Sequence, residues 1–234
     1  MAPPRAFKMF GLQRTATNAV LRGVLDSWHT CSVEIRREWK HGPILQSGRD
    51  LDAHGRPILC LVCARGPLAW LEAMWRFARS GVDPNGCPHF RAGWGFPRFL
   101  TSPHYTWPTP LDRYFAAYSG YLTWLALHPK QGLLIRAEDL FEPLGAIAQM
   151  ERVGRAFSLA RHPGSPHAAR FPRSRMTFHA RPTGRPFRAT HYTSGNYLAA
   201  YRREDLEWVA RRTRSEAWVA LLEALDYPLI PRGA

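Results

Sequence analysis

A three-layer α/β fold, a mainly parallel sheet with helices on both faces, is what this sequence predicts. Three observations point to it. Strand and helix signals alternate through the first half of the chain, and the links between them are short. The run Pro57–Ala64, "PILCLVCA", is apolar throughout, the mark of a strand covered on both sides.

The elements follow in order. Phe7–Gly11 reads as strand one. After the polar knot Gln13–Asn18, apolar residues return at helical spacing, so Ala16–Ser27 reads as a helix. Ser32–Trp39, "SVEIRREW", alternates and reads as strand two, and Gly42–Arg56 is a polar, turn-rich connection. Pro57–Ala64 is strand three, and "LAWLEAMWRFAR", Leu68–Arg79, is helical. Residues 81–110 are rich in Gly, Pro and aromatics and too long for a plain connector. Trp94, Phe96, Tyr105 and Trp107 there would stack on a sugar face or an aromatic ring, or equally would pack. Leu111–Leu127 is an aromatic-rich helix, Gly132–Arg136 a short strand, and Leu140–Leu159 a helix with Glu138 and Asp139 at its acidic start. Residues 161–191 hold many Arg, His and Pro and read as a basic loop or lid. Asn196–Tyr227 carries two helices. No repeat and no domain boundary is visible, so residues 1–234 read as one domain.

The composition is 45% hydrophobic and 21% charged, with 9 Trp and 12 Phe, which excludes a disordered chain. No apolar run reaches the ~18 residues of a membrane span. The opening "MAPPRAFKMFGLQRT" has too short an apolar stretch for a secretion signal, so the expected place is the cytoplasm. The formal charge is +14. It suggests an anionic partner, whether nucleotide, acidic or sulfated glycan, or nucleic acid. Lys8, Lys40 and Lys130 are the only lysines, however, and a composition biased to Arg, Ala and Pro produces the same charge without any polyanion. Among Cys31, Cys60, Cys63 and Cys87, the pair Cys60 and Cys63 has a C-x-x-C spacing. On a strand an offset of three sends the two side chains to opposite faces, so they read as core thiols. His162, His167, His179 and His191 have no metal-ligand spacing, and no metal is expected.

The stretch that carries chemistry is "GLQRTATN", Gly11–Asn18. A strand running into a helix N-terminus gathers backbone N–H groups and the positive end of the helix dipole, which makes an anion site. The nucleoside-triphosphate form needs Gly-Lys-Ser/Thr. Here Arg14 supplies a bidentate fork, and Thr15 and Thr17 supply hydroxyls. The competing reading is a capped helix with Thr15 or Thr17 as N-cap.

This loop resembles the 5′-phosphosulfate loop of the P-loop sulfotransferases, roughly G-x-x-[RK]-[ST]-G-T. It resembles in particular a bacterial-type subgroup whose loop reads like GLQRTGTN. Gly11, Arg14, Thr15 and Thr17 match, and Ala16 stands in place of the loop Gly. A second block, "ILCLVCARGPLAWLEAMWRF", resembles the family's 3′-phosphate region. Arg65 and Pro67 match, Gly66 replaces an Asp or Asn, and Ala73 replaces a Ser. A third, "LLIRAEDLFEPLGAIAQM", resembles the strand and "YEDL" segment with Ala137 for Tyr, and "LLEALDY" resembles the C-terminal end. The blocks keep the family's order over most of the chain.

The resemblance implies a P-loop NTPase-like sulfotransferase fold and 3′-phosphoadenosine 5′-phosphosulfate as donor. It implies transfer of a sulfuryl group to the hydroxyl or amine of a small-molecule or glycan acceptor. Gly11, Gln13, Arg14, Thr15, Ala16, Thr17 and Asn18 would hold the 5′ end and Arg65 the 3′-phosphate, with Arg14 also stabilising charge in the reaction. "EWKHG", Glu38–Gly42, follows strand two, and the carboxyl ends of parallel strands face the crevice. His41 is therefore the expected base, Lys40 a charge stabiliser and Glu38 the alternative base. A solvated strand end is the plain alternative.

Two rivals remain. A P-loop kinase should carry the loop Lys and an acidic Mg²⁺ ligand at a strand end, yet the third strand ends in Arg65. A nucleotide-binding protein of the same fold without catalysis is compatible with Ala16 and Ala73. No nucleic-acid motif accompanies the Arg excess, so the expectation is against nucleic acid.

Overall fold

The computed structural model describes residues 3–33, 40–44, 50–79, 93–164 and 189–230. In chain order its elements are β1 (Arg5–Phe10), α1 (Thr17–Ser27), β2 (Thr30–Ser32), β3 (Leu59–Ala64), α2 (Pro67–Arg79), α3 (Phe96–Thr101), α4 (Pro110–Leu127), β4 (Gly132–Arg136), α5 (Pro143–Ala156), α6 (Ala189–Thr193), α7 (Arg203–Arg212) and α8 (Glu216–Ala224). Two 3-10 turns, Glu138–Leu140 and Asn196–Ala200, complete the set. The chain falls into two compact units, one drawn from Met1–Ala64 and Gly120–Thr190, the other from Arg65–Ser119 and His191–Ala234.

The first unit holds a four-stranded sheet in the order β2-β1-β3-β4, parallel throughout. Phe7 pairs with Ser32 on one side and Leu59 on the other, and Cys60 pairs with Gly132. All of β3 is buried, as its unbroken apolar run predicts. Alternation along the strands sends Phe7, Met9, Leu59, Leu61 and Cys63 to one face, where Val20 and Val24 of α1 and Met150 and Val153 of α5 cover them. Each such side chain contributes about 1.5–3 kcal/mol when fully buried. Trp28 closes this layer. Its indole Nε1 donates to the Met150 carbonyl at 3.0 Å, and its ring fills the place a Cβ on Gly154 would need. The opposite face carries Phe10, whose ring meets Tyr121 of α4 at 6.2 Å. Helices thus cover both faces, the expected three layers.

The second unit is mainly aromatic. Trp70 of α2 packs on Tyr114 of α4 at 5.3 Å, Tyr114 on Tyr118 at 4.5 Å, and Phe96 of α3 meets Tyr201 edge-on at 4.5 Å. The Tyr201 hydroxyl donates to the Leu68 carbonyl at 2.7 Å. Ser215 caps α8 by accepting from the Trp218 N–H.

Two sequence expectations need correction. The helix expected over Leu140–Leu159 starts at Pro143 instead, after the Glu138–Leu140 turn. Proline lacks an N–H and clashes with the turn before it, so it belongs at the first helical position. The first C-terminal helix is split at Tyr201, where the backbone is extended. The Arg202 N–H donates to the Asp205 carboxylate at 3.0 Å, and α7 begins there. Strand two starts at Thr30; most of its expected span, residues 34–39 with Glu38, lies outside the described residues, as do 80–92 and 165–188. Among the described residues no helix is long and apolar enough to cross a membrane.

Candidate functional site

The junction between β1 and α1 folds polar groups inward. Gly11 has φ +141°, and a Cβ there would stand 2.5 Å from the Cys63 carbonyl oxygen and 2.8 Å from Thr15 Oγ1. Only glycine fits. Leu12, Gln13 and Thr15 are buried, and Arg14 is exposed. The Thr15 hydroxyl donates to the Leu12 carbonyl at 2.6 Å, so the loop closes on itself. Arg14 (φ 67°) and Ala16 (φ 65°) both lie in the left-handed region. For residues with a Cβ this costs roughly 1–2 kcal/mol each. Ala16 does occupy a position with positive φ, as its place in the loop predicts.

The helix-cap reading of the threonines is not what the structure has. Ala16 is the N-cap and makes no side-chain cap bond; Thr15 has its proton on Leu12, and Thr17 is already the first helical residue. A loop that spends backbone strain without gaining a cap needs another reason to exist, and such strain clusters at binding sites.

Lys40 and His41 come to this loop. The Gly11 N–H donates to the Lys40 carbonyl at 3.0 Å. The Lys40 Nζ donates to Asn18 Oδ1 at 2.6 Å. His41 Nδ1 lies 2.6 Å from the Gly11 carbonyl oxygen. A carbonyl only accepts, so Nδ1 carries a proton, and in the neutral ring the lone pair sits on Nε2. The buried Tyr121 hydroxyl donates to the Gly42 carbonyl at 2.7 Å and holds the segment from behind. Tyr121 lies 79 positions from Gly42 and no local motif announces it.

The C-x-x-C residues behave as core. Cys60 and Cys63 are fully buried. Burial pushes the Cys63 thiol far above its usual range, while the Lys40 charge pulls weakly the other way, so the thiolate is not populated. Lys40 is thus near enough to the end of β3 to act on Cys63.

Arg65 directly follows β3 and opens the second unit. β1 and β3 are the strands between which the sheet order reverses, and Gly11 directly follows β1. Arg65 is buried at 4% exposure, its guanidinium lies 3.7 Å over the Tyr192 ring, and the Tyr114 hydroxyl donates to its carbonyl at 2.6 Å. Ala73 is buried, with no hydroxyl to offer.

Elsewhere in that unit, Glu72 is buried, and its Oε1 lies 3.0 Å from Arg76 Nη1 and 3.2 Å from His191 Nε2. The spacing of four between Glu72 and Arg76 is a helical pair, whereas no sequence pattern signals His191. His104 is also buried, with Arg113 Nη1 3.4 Å from its Nδ1; burial first and the Arg113 charge second hold it neutral. Of the expected aromatic platform, Phe96 is core, Trp94 carries the Arg98 guanidinium at 4.0 Å, Tyr105 carries Arg113 at 4.0 Å, and Trp107 is 39% exposed. His162 and His191 are far apart in sequence, and among the described residues no three His, Cys, Asp or Glu are grouped to hold a metal.

The class defined so far is a parallel α/β protein with a strained strand-to-helix loop gripped by a Lys-His pair. No protein-family model, no curated protein and no solved structure matches the chain. Function is therefore read from residues and geometry.

Proposed function

We propose that the chain is a sulfotransferase-like enzyme moving a sulfuryl group from 3′-phosphoadenosine 5′-phosphosulfate to an acceptor hydroxyl or amine. The observation that supports this most is the meeting of Lys40 and His41 with the Gly11–Asn18 loop. A cation and an imidazole of fixed tautomer stand beside a helix N-terminus suited to an anion. The absence of a loop Gly-Lys-Ser/Thr favours this donor over a magnesium triphosphate.

Gln13, Arg14, Thr15, Ala16, Thr17 and Asn18 would hold the 5′ end through backbone N–H groups and, at the exposed Arg14, a guanidinium fork, while Gly11, whose own N–H is on the Lys40 carbonyl, would shape the loop around it. Thr17 is the hydroxyl left for this role, since the Thr15 hydroxyl already donates to the Leu12 carbonyl. Arg65 would hold the 3′-phosphate. When bound, the donor supplies the sulfuryl group. His41 Nε2 would take the acceptor proton as the acceptor oxygen or nitrogen bonds to sulfur; the sulfur–oxygen bond to the 5′-phosphate breaks, and Lys40 and Arg14 would balance the charge that builds on the departing adenosine 3′,5′-bisphosphate. The acceptor is a small molecule or glycan, and the place of action is the cytoplasm.

A second reading is a nucleotide-binding protein of this fold without catalysis. Two observations favour it: Ala16 is strained where the family has Gly, and Ala73 is buried where it has Ser. Both readings expect binding of adenosine 3′,5′-bisphosphate in EDTA, measured by calorimetry. Turnover with labelled donor over a panel of phenols, sugars and amines then separates them. Binding of ATP only, and only with Mg²⁺, would sink both and favour a kinase.

A further inference from the structure

We infer that Tyr192 is the positioning residue of the 3′-phosphate site, holding the Arg65 guanidinium flat so that its edge meets the anion. The inference rests on the donor reading above and deepens it at one residue.

The stack is well defined. The Arg65 guanidinium carbon lies 3.7 Å from the Tyr192 ring centroid. Tyr192 is itself stacked on Tyr197, with ring centroids 6.2 Å apart and planes 28° apart. Tyr192 thus has the guanidinium over its ring and a second ring, Tyr197, as its neighbour. Both ends are tied down. The Arg65 carbonyl accepts from the buried Tyr114 hydroxyl at 2.6 Å. His191, next in sequence to Tyr192, meets the buried Glu72 at 3.2 Å, and Glu72 also pairs with Arg76 at 3.0 Å. The Tyr201 hydroxyl, a few residues on, donates to the Leu68 carbonyl of α2. The segment carrying Tyr192 is thus fastened to α2, the helix that follows Arg65.

Chemistry gives the stack a purpose. All five guanidinium donors lie in the plane of the group. A ring against its face blocks none of them and fixes the direction in which they point. A phosphate is bound at the edge, by two parallel N–H bonds, and gains from a plane that is already set. Burial removes competing water, so the orientation counts for more. A cation–π contact of this kind is worth about 0.5–2 kcal/mol, or about 2- to 30-fold in affinity. The Tyr192 hydroxyl has no part in this; the ring alone is needed.

Calorimetry with adenosine 3′,5′-bisphosphate and with adenosine 5′-monophosphate tests it, on the wild type and on Arg65→Ala, Tyr192→Leu and Tyr192→Phe. The wild type is expected to prefer the bisphosphate, and Arg65→Ala to lose that preference. Tyr192→Leu should reduce the preference about 2- to 30-fold with 5′-monophosphate affinity unchanged, and Tyr192→Phe should keep it. A wild type without preference overturns the donor reading and this inference with it. A wild-type preference that survives in Tyr192→Leu overturns the inference alone. So does an equal loss for both nucleotides, or a Tyr192→Phe variant that falls as far as Tyr192→Leu.

Discussion

Two of the junctions at which a described strand runs into a helix, β1 to α1 and β3 to α2, are built in opposite ways. Between β1 and α1 stand Gly11–Ala16, a loop with two left-handed residues that carry side chains. Between β3 and α2 stand only Arg65 and Gly66, neither with a positive φ, and Pro67 opens the helix at once. The first junction bends the backbone so that its own polar groups converge. The second keeps the backbone taut and presents one side chain. In the proposed reading a curled loop would meet its ligand through many weak donors, and it is sensitive to any added atom. A taut one depends on a single charge and on whatever orients it.

The comparison can be broken at its curled side first. His41→Ala should lower turnover by about two to four powers of ten, read with labelled donor, while nucleotide affinity stays near wild type. His41→Asn separates chemistry from anchoring. Its amide keeps a donor where Nδ1 meets Gly11 and has no base at Nε2, so it should fall as far as His41→Ala. Near-normal turnover in either would remove His41 from the reaction and turn attention to Glu38.

A smaller effect is expected from Gly11→Ala, read by thermal unfolding. Overpacking against the Cys63 carbonyl and strain at φ +141° together cost about 2–6 kcal/mol. For a chain of this size that is a melting temperature lower by about 5–20 °C. An unchanged melt would mean that the loop yields easily, and the contrast with the taut junction would dissolve.

The smallest effect sharpens the comparison. Ala16→Gly removes a Cβ at φ 65° and should stabilise the fold by up to about 1 kcal/mol, after the entropy cost of glycine is set against the relief. The same variant should bind adenosine 3′,5′-bisphosphate at least as well as the wild type. A lower melting temperature would show that Ala16 rests there without strain.

Much of this was legible in the residues. The unbroken "LCLVCA" announced β3, "GLLIR" announced β4, and the return of helical spacing after Gln13–Asn18 placed α1 to within a residue. The loop was visible because it is local: its glycine, arginine and threonines lie within eight positions of one another. Lys40 and His41 do reach it, through the bonds to Asn18 and Gly11, but the strand-end rule that suggested them presumed a strand running to Trp39, and β2 is described only over Thr30–Ser32. What could not be read lies between distant residues. Tyr121 on Gly42, His191 on Glu72 and Tyr192 on Arg65 join positions by tertiary packing, which no periodicity encodes. The helix breaks at Pro143 and Tyr201 were missed for another reason. A broad apolar pattern ran across them, and a local capping choice decided the boundary.

Gly11 is gripped at both of its peptide groups by two successive residues, its N–H on the Lys40 carbonyl and its carbonyl on the His41 ring. Such a grip acts as a clasp with a lifetime. The Gly11 peptide groups can turn only when residues some thirty positions away let go. The Gly11 amide proton keeps time for that event: it exchanges with solvent only in the intervals when the clasp is undone.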